Sequence, residues 1–592
     1  MRLALALVAG LTSWVIGVHA AAPEQRCFPD KFLFGSATAA YQVEGGWNET
    51  GRTPSIWDDF CRHKRGLECS NVADDFIHRY KSDIQLMADT GLSSFRFSVS
   101  WSRVMNWDPE SERMKPNPPG IAFYHAVIDE IRRQNIVPIM TLYHWDLPSE
   151  LHKKLEPQGW LNSDIKDHFV EYAELMFREY GSKVDYWSTF NEPWTFTSKG
   201  YGTGDHAPGW KHSKENAYTA AHNVLLSHGY AVQKFRLLKQ QDVIHPNARI
   251  GIVLNADFGY PLNASDPHDV AAADRKMQFG LGWFLSPIVS GEYPEVMRER
   301  AGKHLPTFTE EEVAVVKDSY DLFMLNHYSS KTVVDCKSPH SHVKCSKQSL
   351  GWEADLGIDD TRLPEGARPS STDEDGNYLC TWFTGYPKGY LDTIRWMHKQ
   401  NPKAEILLTE NGWCGNDTIA NEDQLWYYQT YLESVHRAIT EDNIPIIGYT
   451  AWSFVDNYEW GSFKPRFGLY YVNFTSLTGS KDGYTPKPTD LERIPRIAAT
   501  WYTSLAKTKC MDRLPGGETP TDDIVSLVEV ERSSPDDLVT ELSSSTLVSN
   551  LLICGVLAPV VIASVFAMSI LRRRTAFHAA TSIQTETTPL LY

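Results

Sequence analysis

Apolar residues in the middle of the chain gather in short runs, and between the runs they recur at helical spacing. The strand-like runs are Leu33–Ala37, Ser94–Ser98, Val137–Leu142, Val184–Thr189, Arg249–Leu254, Leu322–Asn326, Ile406–Thr409 and Ile446–Ala451. Between the first two, Asp74–Thr90 carries Phe76, Ile77, Tyr80, Ile84 and Met87 on one side and is closed by Gly91. Ile121–Asn135 repeats this with Phe123, Val127, Ile128 and Ile131. Alternation of strand and helix predicts a parallel sheet, and eight such units close into a barrel. The expected fold class is therefore α/β, a (β/α)8 TIM barrel with long loop insertions. A doubly wound open sheet is the alternative. No G-x-G-x-x-G or phosphate-binding loop follows any run, so nothing marks a nucleotide site. The polar segment Ser329–Tyr386 follows the sixth run and is read as a long insertion over the active face.

The pattern changes at both ends. Arg2 is followed by the apolar run Leu3–Val18 and then by His19 and Ala20, which predicts a signal peptide over residues 1–20. Leu547–Leu571 carries no charge, exceeds the roughly 20 residues that a bilayer requires, and is followed by Arg572, Arg573 and Arg574. It predicts a single C-terminal transmembrane helix over 547–571, with a cytoplasmic tail at 572–592. Residues 511–545 are acidic and rich in Ser, Thr and Pro, as in a flexible stalk. The expectation is a single-pass type I membrane protein whose domain 27–510 is lumenal or extracellular. The tail ends with Glu586 four places before Leu590-Leu591, similar to a clathrin-adaptor sorting signal. That leaves plasma membrane, endosome, lysosome or vacuole as destinations.

Composition and charge narrow the partners. Against 74 Asp and Glu stand 57 Lys and Arg, a net charge of −17, which argues against nucleic acid. Of the nine cysteines, Cys554 falls in the predicted span. The other eight would face an oxidising compartment, where an even number predicts disulfides. Cys61–Cys69 and Cys336–Cys345 are the close pairs, while Cys27, Cys380, Cys414 and Cys510 are left without assigned partners. No C-x-x-C occurs, so no structural zinc site is expected. Asn48, Asn263, Asn416 and Asn473 head glycosylation sequons.

The chemistry lies where strands end. The fourth run leads into Thr189-Phe190-Asn191-Glu192-Pro193, and the seventh into Thr409-Glu410-Asn411-Gly412. Two carboxylates can thus face each other across one barrel mouth, the equipment for glycoside cleavage. One is held protonated for the leaving oxygen, and the other attacks the anomeric carbon.

With Phe32–Glu44 added, these motifs identify the region Cys27–Leu505 as resembling glycoside hydrolase family 1, the β-glucosidase family. The resemblance implies Glu192 as general acid/base and Glu410 as nucleophile. It implies that Asn191 contacts the sugar 2-hydroxyl. Gln42, His144, Trp145, Glu459 and Trp460 resemble the groups that hold the remaining hydroxyls. Trp452 resembles the platform beneath the ring, and Phe467 the aromatic that follows. Asn326 and Tyr328 resemble the pair beside the nucleophile, and Arg96 its buried arginine. His327 is read as structural. Glu459 argues for an unphosphorylated sugar, and Glu192 for an oxygen rather than a sulfur glycoside. No metal or organic cofactor is called for. The expected activity is a retaining β-glycosidase, first a β-glucosidase. A membrane-bound receptor of the same fold and a transglycosidase are the rivals.

Overall fold

The computed structural model describes residues 26–211, 213–345, 351–477 and 490–512. The expected leader, the stalk from residue 513 onward, the span 547–571, the tail and its Glu586, Leu590 and Leu591 lie outside the described residues. Among the described residues no helix is long and apolar enough to cross a membrane.

All eight apolar runs are strands of one closed barrel. They are β1 (Leu33–Ala37), β2 (Ser94–Ser98), β3 (Val137–Tyr143), β4 (Tyr186–Asn191), β5 (Arg249–Asn255), β6 (Phe323–Asn326), β7 (Ile406–Asn411) and β8 (Ile446–Trp452). Each pairs in parallel with its neighbours in sequence, and β8 returns to β1. A helix follows each strand: α1 (Phe76–Asp89), α2 (Pro118–Arg133), α3 (Ile165–Tyr180), α4 (Asn216–Gln240), α5 (Glu310–Val316), α6 (Pro387–Gln400), α7 (Glu422–Thr440) and α8 (Ile497–Thr508). Local chemistry fixes their starts. Proline opens α2 and α6, where a missing N–H costs nothing. Thr309 and Glu312 cap α5 reciprocally.

Among the described residues the barrel has a core on each side of its strands, and a small third cluster of Ala272, Ala273, Val333 and Ile358 lies by the added sheet. Ile139, Val253, Leu322, Met324 and Leu407 fill the barrel interior. A larger continuous cluster lies between strands and helices. Strands buried on both faces carry apolar residues at nearly every position, which makes their runs visible in the sequence.

Strand ends depart from the apolar pattern. The fourth strand starts at Tyr186 instead of Val184 and runs on to Asn191, and the seventh continues to Asn411. Ladder hydrogen bonds are made by the backbone, so polar Asn191 and Glu410 stay in register with Val253 and Asn326. The register shifts between Ser188 and Asn191, and between Leu408 and Glu410. Such irregularities re-aim side chains, and these two lie just below the carboxylates.

The insertion 329–386 is more than a loop. Its strand Ser330–Asp335 pairs with Phe258–Pro261 and with Ile358–Arg362 in a three-stranded sheet. Non-local pairing of this kind leaves no local signature. Cys61–Cys69 and Cys336–Cys345 are bonded as expected, and the remaining pairs are Cys27–Cys510 and Cys380–Cys414. The first of these joins the two ends of the described chain, beside an Arg26–Asp512 ion pair. The second fastens the insertion to the loop after β7. Asn48, Asn263 and Asn473 are exposed, while Asn416 is half-buried.

Candidate active site

Glu192 and Glu410 both sit at the carboxyl ends of barrel strands and are almost wholly enclosed, 7% and 3% exposed. Glu410 lies within β7, and its carboxylate takes a salt bridge from Arg96 Nη1 and a 2.8 Å hydrogen bond from the Tyr328 hydroxyl. Arg96, on β2, also donates to Asn191 Oδ1 at 2.7 Å and to Thr141 Oγ1 at 3.2 Å. Four strands therefore converge on one guanidinium: β2 supplies it, β7 its counter-charge, and β3 and β4 its other acceptors. A buried charge pair is tolerable only when its donors and acceptors are filled, and here they are.

Glu192 occupies a different environment. Asn326 Nδ2 donates to Glu192 Oε1 at 2.8 Å, and Thr195 Oγ1 donates to Oε2 at 2.8 Å. Among the described residues no cation touches it. Burial pushes its carboxyl up to about 8, Glu410's charge adds to the rise, and the Asn326 and Thr195 bonds oppose it. Glu192 therefore keeps its proton at neutral pH, while Glu410 is the carboxyl that meets the arginine.

The backbone around the pocket is held in unusual conformations. Glu192, Trp145 and Trp460 all take left-handed φ, at 48°, 75° and 47°. Each such residue costs about 1–3 kcal/mol and persists only where its surroundings impose it, commonly at functional sites. Glu192 stands directly before the helix Pro193–Ser198, with Pro193 starting the turn. That placement brings Thr195 within reach, three residues on.

The other expected residues lie around these two. Asn191 Nδ2 donates to His144 Nε2 at 3.1 Å, and Trp145 Nε1 donates to the Asn191 carbonyl at 2.8 Å. Burial and Arg96 push His144 well below its ordinary value, so its ring is neutral. Its ring stacks between those of Trp452 and Trp460, at 6.0 and 5.8 Å. Trp460 packs on Trp145 at 4.3 Å. Trp452 Nε1 donates to Glu459 Oε1 at 3.2 Å. Burial pushes Glu459 up to about 8, the Trp452 bond opposes this, and Glu410 adds to it. Gln42 Nε2 donates to Asn457 Oδ1 and to the Tyr458 carbonyl, both at 2.8 Å. Among the described residues Gln42 Oε1 and His144 Nδ1 have no partner, and both are buried. Phe467 meets the Tyr328 ring edge-on at 5.9 Å. His327 serves the scaffold: Nδ1 lies 2.9 Å from the Ala256 carbonyl, and its ring stacks on Tyr390.

Several contributors were not singled out in the sequence. Thr195 bonds Glu192 and is itself bonded by Asn255 Nδ2 at 2.9 Å. Thr409 Oγ1 donates to Asn326 Oδ1 at 2.7 Å, which fixes the amide orientation facing Glu192. Asn411 beside Glu410 is held by the Tyr427 and Tyr449 hydroxyls at 2.9 and 2.8 Å. Trp382, half-exposed, packs edge-on against Tyr328 at 5.8 Å. Thr409 and Asn411 stand in the motif around Glu410 but were given no role, and Thr195 was within reach because position i+3 on a helix started by Pro193 faces Glu192.

Known proteins are similar to this chain over most of its length. Residues 24–511 match the pattern of glycosyl hydrolase family 1. Beta-glucosidase 24 of Arabidopsis thaliana is 36% identical over 476 residues, covering 76% of this chain and 86% of its own length. Beta-glucosidase 42 of the same plant is 36% identical over 496 residues, covering 81% and 94%. Among solved structures, a rice β-glucosidase superposes with a TM-score of 0.71 at 32% identity, covering 81% of this chain and 98% of its own. Aphid myrosinase does so with 0.71 at 30%, covering 82% and 99%. With its eight-stranded barrel and paired strand-end carboxylates, this chain belongs to glycosyl hydrolase family 1 and is a glycoside hydrolase.

Proposed function

We propose that the protein is a retaining β-glucosidase that hydrolyses oxygen-linked β-glucosides. The observation that carries this reading is the split between its two enclosed carboxyls. Glu192 is protonated below about pH 8, and Glu410 is paired with Arg96 and Tyr328. In the first step a Glu410 oxygen forms a bond to the anomeric carbon. The bond from that carbon to the aglycone oxygen breaks, and the oxygen takes the Glu192 proton. Glu410 is then an uncharged ester, so its repulsion of Glu192 disappears and ionised Glu192 is no longer disfavoured by it. In the second step Glu192 takes a proton from water, the hydroxide oxygen bonds to the anomeric carbon, and the ester bond to Glu410 breaks. Both groups return to their starting states.

The sugar assignment rests on the orphaned polar atoms and the tryptophans. Gln42 Oε1 and His144 Nδ1 lack protein partners, a lack that hydroxyls can fill. Glu459 and Trp452 supply a further acceptor and a flat face suited to sugar C–H groups. Similarity to Arabidopsis and rice β-glucosidases supports glucose. The presence of Glu at 192 supports hydrolysis at oxygen. The charge-free segment 547–571 and the Arg572–Arg574 cluster support a type I membrane topology, with this domain lumenal or extracellular.

Three outcomes test the proposal. Against a panel of aryl β-glycosides, the wild type is expected to cleave the glucoside fastest, and Glu410→Gln to lose at least about a thousandfold in kcat. Comparable cleavage by Glu410→Gln would sink the mechanism, and a faster galactoside or fucoside would sink the sugar assignment. The alkaline limb of kcat/KM is expected near pH 8, since activity needs protonated Glu192 and is lost as pH rises through its value. Thr195→Val removes a bond that favours the charged form, so that limb should move to higher pH. A limb that stays or moves down contradicts Thr195 as a positioning group. Finally, the full chain should sediment with membranes, whereas a chain ending at residue 546 should be secreted active. A full-length chain in the soluble fraction would refute the anchor.

A further inference from the structure

A group of charges outside the catalytic pair lies on the Thr195 side of the site. Asn255, which bonds Thr195, ends β5, and Asp257 follows two residues later. The strand that continues, Phe258–Pro261, pairs with Ser330–Asp335, placing Lys331 opposite Gly259. Lys331 lies three residues after Tyr328, whose hydroxyl bonds Glu410. Lys276, at the end of the helix Pro267–Met277, forms a 2.7 Å ion pair with Asp360 from the third strand of this small sheet. Lys199 follows the helix that Glu192 begins, and its charge reaches Asp257 together with those of Lys276 and Lys331.

One charge in this group has no close counter-charge. Lys276 and Asp360 satisfy one another. Lys331 is only 8% exposed, and its Nζ makes one described bond, 2.9 Å to the neutral hydroxyl of Thr384. Among the described residues no carboxylate lies within ion-pair distance of it. Asp257 is half-buried and makes no hydrogen bond among the described residues. Lys199 faces Asp205 as well as Asp257, so Lys331 is the enclosed ammonium left without an ion pair. An ammonium has three donors, and an enclosed one without a counter-charge is costly. Burial accordingly holds the Lys331 amine below its usual value, with Asp257 only partly offsetting this. Enzymes retain such a cost where a ligand relieves it.

We propose that this cluster is the part of the aglycone site that selects aglycones carrying an anionic group, with Lys331 and Lys199 as the cations that receive it. The inference rests on the glycosidase reading above. The sugar would occupy the pocket between Glu410 and Trp452. The leaving group would extend past Glu192 and Thr195, toward the tops of β5 and β6, where the cluster lies. A carboxylate there would accept from Lys331 and satisfy the charge that Thr384 cannot.

The test compares kcat/KM for 4-carboxyphenyl β-glucoside with that for its neutral methyl ester, as a ratio within each variant. The wild-type ratio should fall about tenfold in Lys331→Met, the size of one lost charge-assisted hydrogen bond. It should be kept within about twofold in Lys331→Arg and fall in Lys199→Gln. A ratio that is the same in wild type, Lys331→Met and Lys199→Gln overturns the inference. If Lys331→Met cleaves neither glucoside, Lys199→Gln decides, because Lys199 is half-exposed and outside the core. A wild type that cleaves the ester with a ratio indifferent to these lysines overturns only this inference. A wild type that cleaves neither glucoside overturns the glucosidase reading on which it rests.

Discussion

The Arg96 guanidinium is the interaction around which the site is organised. It is buried inside the barrel mouth and bonded to Glu410, Asn191 and Thr141, which come from three further strands. Burying a charge of this kind is expensive unless its bonding groups are met. The barrel makes it affordable by bringing acceptors from distant parts of the sequence to one point. The same bonds fix Asn191, which in turn orients His144 and is reached by Asn326, so removing Arg96 would unfasten groups on four strands.

The difference between the two carboxyls follows from that arrangement. Glu410 has the arginine, whereas Glu192 has only neutral donors and a neighbouring negative charge. Two groups of identical chemistry are thereby given different surroundings by position alone, and only Glu192 is pushed up to about 8. The left-handed backbone at Glu192 and the slipped strand register beneath it are part of how that position is achieved.

Much of this was legible in the sequence because the relevant signals are local. Strands buried on both faces produce unbroken apolar runs, and each carboxylate directly follows one. Trp452, Glu459 and Trp460 lie close together in the chain, so their grouping was visible before any fold was known. What could not be read depends on non-local pairing. Four cysteines without assigned partners allow three connectivities, so Cys27–Cys510 and Cys380–Cys414 needed the fold. The sheet within 329–386 borrows a strand from 258–261, and nothing in either segment announces the other. Lys331 looks like an ordinary polar residue until that sheet places it.

The central claim is that Glu410 becomes covalently attached to the sugar, and trapping the attachment tests it most directly. The protein would be incubated with a 2-deoxy-2-fluoro-β-glucoside bearing a good leaving group, digested, and mapped by mass spectrometry. The account predicts one fluoroglucosyl group per chain, on the peptide that contains Glu410. Attachment at another carboxylate, or release of the α-anomer from a normal β-glucoside with no attachment, would contradict it.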